Sequence, residues 1–154
     1  MIFPTLLNNI LVKNNFLLSL VITKYLETIE AELSVLFPTC DLLPGAETLI
    51  RHLHHHGVSM CVATSSDHKM LALKTESKHR EIFSLFSHIV TGDDPAIAAA
   101  KPCPDIYNVA RDRFPPGSDA QCLVFEDSPT GVTAALAANM QVREQVKLLY
   151  IKFY

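Results

Sequence analysis

Three short apolar runs, each preceded by a stretch of helical character, confine this chain to a fold of alternating helices and strands. The runs are residues 58–63 (VSMCVA), 88–90 (HIV) and 122–125 (CLVF), and a fourth begins at Gln141 and Val142. A run that is apolar throughout fits a strand covered on both faces, as parallel strands are. Between them, residues 23–37 carry Tyr25, Leu26, Ile29, Leu33 and Leu36 at helical spacing, and Pro38 ends that helix. Ala46, Leu49, Ile50 and Leu53 mark a second helix that Gly57 stops. Thr64, Ser65, Ser66 and Asp67 supply capping chemistry for a helix over residues 67–78. Residues 92–95 (GDDP) make a turn, a helix runs from Pro104 or Asp105 to Phe114, and residues 129–139 (PTGVTAALAAN) form a helix of small residues. The expected fold class is a three-layer α/β/α arrangement around a parallel sheet. In such sheets ligands bind outside the carboxyl ends of the strands. Two of those ends here are polar, Thr64-Ser65 and Glu126-Asp127.

Composition removes several classes of function. The 154 residues, 49% hydrophobic and 19% charged, suffice for one packed domain. A net charge of −3 with no run of Lys or Arg argues against a nucleic-acid partner. Cys40, Cys61, Cys103 and Cys122 form no C-x-x-C pair, which excludes a zinc ribbon or thioredoxin-type site. Cys61 and Cys122 lie in apolar runs and read as buried reduced thiols, which points to the cytoplasm. Residues 1–22 are apolar but interrupted, and their longest clean run, 16–22, is far short of the roughly 20 residues of a membrane span. No membrane association or secretion signal is expected. His52, His54, His55 and His56 resemble a metal cluster, and His52 and His56 stand one helical turn apart. They fall on the polar side of their helix, far in sequence from any carboxylate at a strand end, and read as a solvated face.

Thr64, Lys101 and the pair Glu126-Asp127 carry the candidate chemistry. A hydroxyl and backbone N–H groups at a helix start hold phosphate oxygens. A lysine neutralises charge spreading over a phosphoryl group, and adjacent carboxylates at a strand end suit Mg²⁺. No G-x-G-x-x-G follows any strand, so a dinucleotide-binding dehydrogenase is not expected.

The segments ATSS, IFSLFSH, GDDP, KPCPDI and LVFEDSPTGV, in this order and spacing, resemble the haloacid dehalogenase-type hydrolases, and within them the pseudouridine-5'-phosphatase group. The similarity runs from about Tyr25 to Val142. The resemblance implies a Rossmann-like α/β core over residues 44–142, with residues 23–43 the end of a helical cap and residues 1–22 and 143–154 unlike the family. It implies hydrolysis of a small phosphorylated metabolite. Thr64 and Ser65 would bind the phosphoryl group, Lys101 would pair with it and with the nucleophile, and Glu126 and Asp127 would hold Mg²⁺.

The family's first motif, Asp-x-Asp-Gly-Thr, supplies its nucleophile and its general acid/base, and no Asp-x-Asp occurs in these 154 residues. Its strand lies between those carrying Thr64 and Glu126, so two strand edges are expected to be open, with residues 6–12 or 16–22 as surrogate strands. The chain is therefore expected to be a phosphatase relative without turnover and with weakened Mg²⁺ binding. The alternatives are a truncated isoform that binds phosphate or dimerises, and a fragment with no stable fold.

Overall fold

The first helix is far longer than its periodicity predicts. In the computed structural model, which describes residues 3–115 and 122–144, helix α1 spans Phe3–Leu36 and is followed by a 3-10 turn at Phe37–Thr39. Both segments expected as surrogate strands are therefore helical. The reason is backbone accounting. A helix satisfies its interior N–H and C=O groups within itself, whereas a strand needs partner edges brought to it. The chain divides into two compact units, Met1–Phe37 and Pro38–Tyr154. Leu20, Val21, Ile22, Tyr25 and Leu26 are all exposed. Among the described residues no helix is long and apolar enough to cross a membrane.

The second unit follows the expected alternation. Helix α2 (Ala46–His55) leads through Gly57, at φ 69°, into strand β1 (Cys61–Ala63). Val58 is 47% exposed, and the strand is shorter than the apolar run that announced it. Helix α3 (His68–Thr75) starts at Asp67, whose carboxylate accepts the Met70 N–H at 2.7 Å, as the capping residues predict. A short helix α4 (Arg80–Phe83) precedes β2 (His88–Val90). Helix α5 (Asp105–Asp112) then leads to β3 (Leu123–Glu126), α6 (Pro129–Ala137) and β4 (Gln141–Glu144).

All strand pairing is parallel, so the α/β class is as expected, but the strands form two separate pairs. β1 pairs with β2 in register Val62 to Ile89, and β3 with β4 in register Val124 to Val142. β1 and β3 do not pair with each other. Helix α5 lies against β1 and β2, and α6 against β3 and β4. Ala134 and Ala135 of α6 are wholly buried, which is what its small residues permit. The larger core joins Val90, Ile106, Tyr107, Ala110, Ala134 and Met140, and a second cluster gathers Ile50, Val62, Ile82 and Phe86.

The cysteines are free thiols. Cys61 and Cys122 are half-buried, while Cys40 and Cys103 are exposed. Burial, with the neighbouring Cys122, pushes the Cys61 thiol up to about 11, so it stays a neutral thiol at pH 7.

Candidate functional site

The carboxyl ends of β1 and β3 meet at one side chain. Lys101 Nζ donates to Glu126 Oε2 at 2.7 Å and reaches the Ala63 carbonyl at 3.5 Å. It comes from the loop between β2 and α5, whose shape is fixed by Asp105. That carboxylate accepts the N–H groups of Ala98 and Ala99 at 3.0 and 2.9 Å. The Lys101–Pro102 peptide bond is cis. The ammonium also stands 4.9 Å from the centre of the Tyr107 ring.

Glu126 is the most heavily bonded side chain here. Its Oε2 accepts from Lys101 and from the Tyr107 hydroxyl at 2.6 Å. Its Oε1 accepts from the Asp127 and Ser128 N–H groups at 3.2 and 3.1 Å and from the Ser128 hydroxyl at 2.9 Å. Room for the carboxylate exists because residue 131 is glycine. A Cβ there would stand 2.1 Å from Glu126 Cδ. Burial pushes the Glu126 carboxyl up, but the Lys101 ammonium and the Tyr107 hydroxyl outweigh it and hold it at about 2. Burial and the adjacent Glu126 together push the Tyr107 phenol far up, so it stays a neutral donor.

This carries a pH prediction. A carboxyl depressed from its ordinary 4.5 to about 2 contributes stability that is present above pH 4.5 and lost as pH falls toward 2. Thermal unfolding followed from pH 6 to pH 2 should show Tm falling through that window, and falling less in Glu126→Gln. Parallel curves for the two proteins would remove Glu126 as the cause.

At the end of β1, Thr64 is fully buried. Its N–H donates to Val90 O at 2.9 Å, and its hydroxyl oxygen accepts the Ser66 N–H at 3.1 Å. Ser65 is exposed at the turn that follows. Lys74 Nζ, from the last turn of α3, donates to Ser66 Oγ at 2.8 Å. The 92–95 turn is fastened to the same place, since Gly92 N–H donates to Ser66 O at 2.9 Å and Asp93 accepts the His68 N–H at 3.1 Å.

The geometry thus brings Lys101 and Glu126 into contact and sets Thr64 and Asp127 one residue beyond the ends of β1 and β3. Tyr107, Ser128 and Gly131 complete the Glu126 cluster, and sequence reading did not single them out. Their signal lay inside the segments KPCPDIY and EDSPTG, where only the charged residues drew attention.

Mg²⁺ meets a sparse donor set. Both Glu126 oxygens are engaged, by five donors in all, and the other carboxylate at this strand end is that of Asp127. Among the described residues no three His, Cys, Asp or Glu side chains converge as metal ligands. These residues do not fit a resident Mg²⁺ by themselves. The histidine face is exposed, with the His52 and His56 rings 4.2 Å apart. His79 and His88 hydrogen-bond the carbonyls of Cys40 and Ala110, each at 2.8 Å.

Comparison with known proteins is consistent across sequence and fold. The sequence pattern of the haloacid dehalogenase-like hydrolases matches residues 5–139. The chain is 50% identical over 121 residues to a probable pseudouridine-5'-phosphatase of Drosophila melanogaster, covering 77% of this chain and 52% of that protein. It is 49% identical over 115 residues to (DL)-glycerol-3-phosphatase 1, mitochondrial, of Arabidopsis thaliana, covering 73% of this chain and 38% of that protein. The chain therefore spans about half the length, or less, of these relatives. The crystal structure of a HAD hydrolase, family IA, variant 3, from Entamoeba histolytica superposes with a TM-score of 0.66 at 30% identity, over 78% of this chain and 53% of that one.

Proposed function

The chain belongs to the haloacid dehalogenase-like hydrolase family, and on that premise we propose that it binds the phosphate group of a small phosphomonoester without hydrolysing it by itself. The observation that carries this reading is the Lys101 ammonium held between the carboxyl ends of β1 and β3. In an open α/β sheet that is where a ligand sits. Thr64 and the Ser65 N–H offer donors at the start of the turn into α3, and the Lys101 charge offsets the phosphate dianion. The relatives are named for pseudouridine 5'-phosphate and glycerol 3-phosphate, which makes a small sugar or polyol phosphate the favoured ligand class. Residues 23–43 are read as the end of a helical cap, a reading that the helical course of α1 through Leu36 supports.

Turnover is left out because the 154 residues contain no Asp-x-Asp. Without that pair there is neither a carboxylate in the family's nucleophile position nor the acid/base beside it. Loss of a covalent nucleophile costs several orders of magnitude in rate. Magnesium enters this reading as a counter-ion that Asp127 shares with phosphate oxygens and water, not as a resident metal.

Calorimetric titration with inorganic phosphate should give saturable binding that Thr64→Val weakens roughly tenfold, the value of one hydrogen bond to a charged group. Absence of saturable binding by folded protein would remove the proposal. A parallel assay would follow phosphate release from pseudouridine 5'-phosphate and a generic phosphomonoester, with Mg²⁺ and with chelator. It should stay at background. Magnesium-dependent release that Asp127→Asn abolishes would show a surrogate nucleophile and overturn the non-catalytic half of the reading.

A further inference from the structure

The histidines at the end of α2 take no part in the phosphate reading. His52 and His56 are four residues apart, so their side chains leave the helix on one face. Both are exposed, and their rings lie 4.2 Å apart with their planes tilted by 39°. An ion held by two imidazole nitrogens at ~2.0–2.1 Å sets those nitrogens roughly 3.3 Å apart. Rings this close reach that spacing by small rotations, which exposed side chains make freely. A metal also lies in the plane of each ring it binds. Two tilted planes can share such a point, and parallel ones cannot.

A second observation concerns the proton on His56. Its Nδ1 lies 2.8 Å from the His52 carbonyl oxygen. A carbonyl only accepts, so Nδ1 carries the hydrogen, and in the neutral ring Nε2 carries the lone pair. Metal-binding imidazoles are oriented in this way, with the nitrogen away from the metal donating to a carbonyl or carboxylate. The tautomer is therefore set before an ion arrives. The backbone beneath is fastened as well. His52 O accepts the His56 N–H at 3.2 Å, Leu53 O the Val58 N–H at 3.0 Å and His54 O the Gly57 N–H at 3.0 Å. The carboxyl end of a helix favours a cation. The adjacent Arg51 charge is offset by Glu47 and Glu81, each at 2.8 Å.

We propose that His52 and His56 chelate a divalent transition metal ion that prefers imidazole nitrogen, of the class of Zn²⁺, Ni²⁺ and Cu²⁺, with water in its remaining positions. Mg²⁺ prefers oxygen ligands and is not a candidate at this pair. His54, two residues from either partner, faces another side of the helix. The pair lies at the end of α2 that leads through Gly57 into the start of β1, whereas Thr64 follows the far end of that strand. The proposal is thus independent of the phosphate reading. A bound ion ties together the last turn of α2, a helix that buries Ile50 in the core, and so stabilises the folded chain.

The test uses the full chain, free of any histidine tag, with Zn²⁺, Ni²⁺ and Mg²⁺ as probes. Calorimetry with Zn²⁺ should show saturable binding of one ion per chain. Zn²⁺ at about a hundred times its Kd should raise Tm by roughly 5 °C or more. His52→Asn and His56→Asn should each weaken binding by at least the roughly tenfold that loss of an outer partner costs. His54→Asn should leave it unchanged. The substituted positions are exposed, so all three variants should unfold like the parent when no metal is added. In the unsubstituted chain, paramagnetic Ni²⁺ should broaden the ring resonances of His52 and His56 before those of the other histidines, a readout that needs no variant. Absence of saturable Zn²⁺ binding overturns the proposal. Binding that neither substitution alters also overturns it, because the ion would then sit elsewhere, for example on the exposed thiols of Cys40 or Cys103. Equal competition by Mg²⁺ would do the same, since it would mean oxygen ligands.

Discussion

Lys101→Met should cost roughly 3–5 kcal/mol of stability, because it leaves the Glu126 carboxylate buried without its cation. The Lys101 and Glu126 side chains are only 9% and 7% exposed, so water cannot take over the lost charge. Four donors would remain on Glu126, from Tyr107, Asp127 and Ser128, and they are neutral. A loss of that size is a large part of the total stability of a small domain. Urea unfolding of the single variant, of Glu126→Gln and of the double variant measures it. The double variant should recover much of the loss, since it removes the buried charge along with its partner. A single-variant cost below about 1 kcal/mol would mean the pair is solvated, as exposed pairs are. Phosphate titration on whatever fraction stays folded should also show binding lost, because the same ammonium is assigned to the ligand.

Gly92→Ala should destabilise by about 1–3 kcal/mol and weaken phosphate binding by roughly tenfold or more. A Cβ at this position would stand 2.4 Å from the Ser65 carbonyl oxygen, 2.9 Å from its carbonyl carbon and 3.2 Å from its Cα. All three are backbone atoms, so no rotamer change relieves the contact. The turn at Ser65 cannot simply slide away, because Thr64 N–H is held by Val90 O and Ser66 O accepts the Gly92 N–H. What moves is therefore the Ser65 amide assigned to the phosphate. Unfolding and calorimetry together check it. Unchanged phosphate affinity in a destabilised Gly92→Ala would detach Ser65 from the ligand and leave the glycine a packing requirement only.

The local rules of the sequence carried most of the second unit. The apolar runs 58–63, 88–90 and 122–125 yielded the parallel strands Cys61–Ala63, His88–Val90 and Leu123–Glu126, each followed by turn or capping residues. Asp67 and Ser128 cap α3 and α6 by bonding the Met70 and Gly131 N–H groups, short-range contacts that a pattern of residues can announce. The placement of Thr64 and Asp127 just past strand ends followed from the same alternation, and the candidate site was legible as a location.

The contents of that location were not. A Glu-Asp pair reads as two metal ligands until Tyr107, nineteen residues upstream, and Lys101 are seen to fill one side of Glu126 and Ser128 the other. Hydrogen bonds across such separations leave no periodicity to detect. The length of α1 was missed for the opposite reason. Residues 3–22 lack a clear apolar stripe, and a helix there needs none, since it satisfies its own backbone without a partner.

The sequence by itself marked four strand segments and the helices of the second unit other than α4, where their polar ends fall and that no Asp-x-Asp accompanies them. All of these are properties of neighbours along the chain. Only the tertiary structure decided which strands pair with which, β1 with β2 and β3 with β4, and that Lys101 and Glu126 neutralise each other at the carboxyl end of β3. Edges, cavities and buried ion pairs are made by residues distant in sequence, and their energies exist only once the core has brought them together.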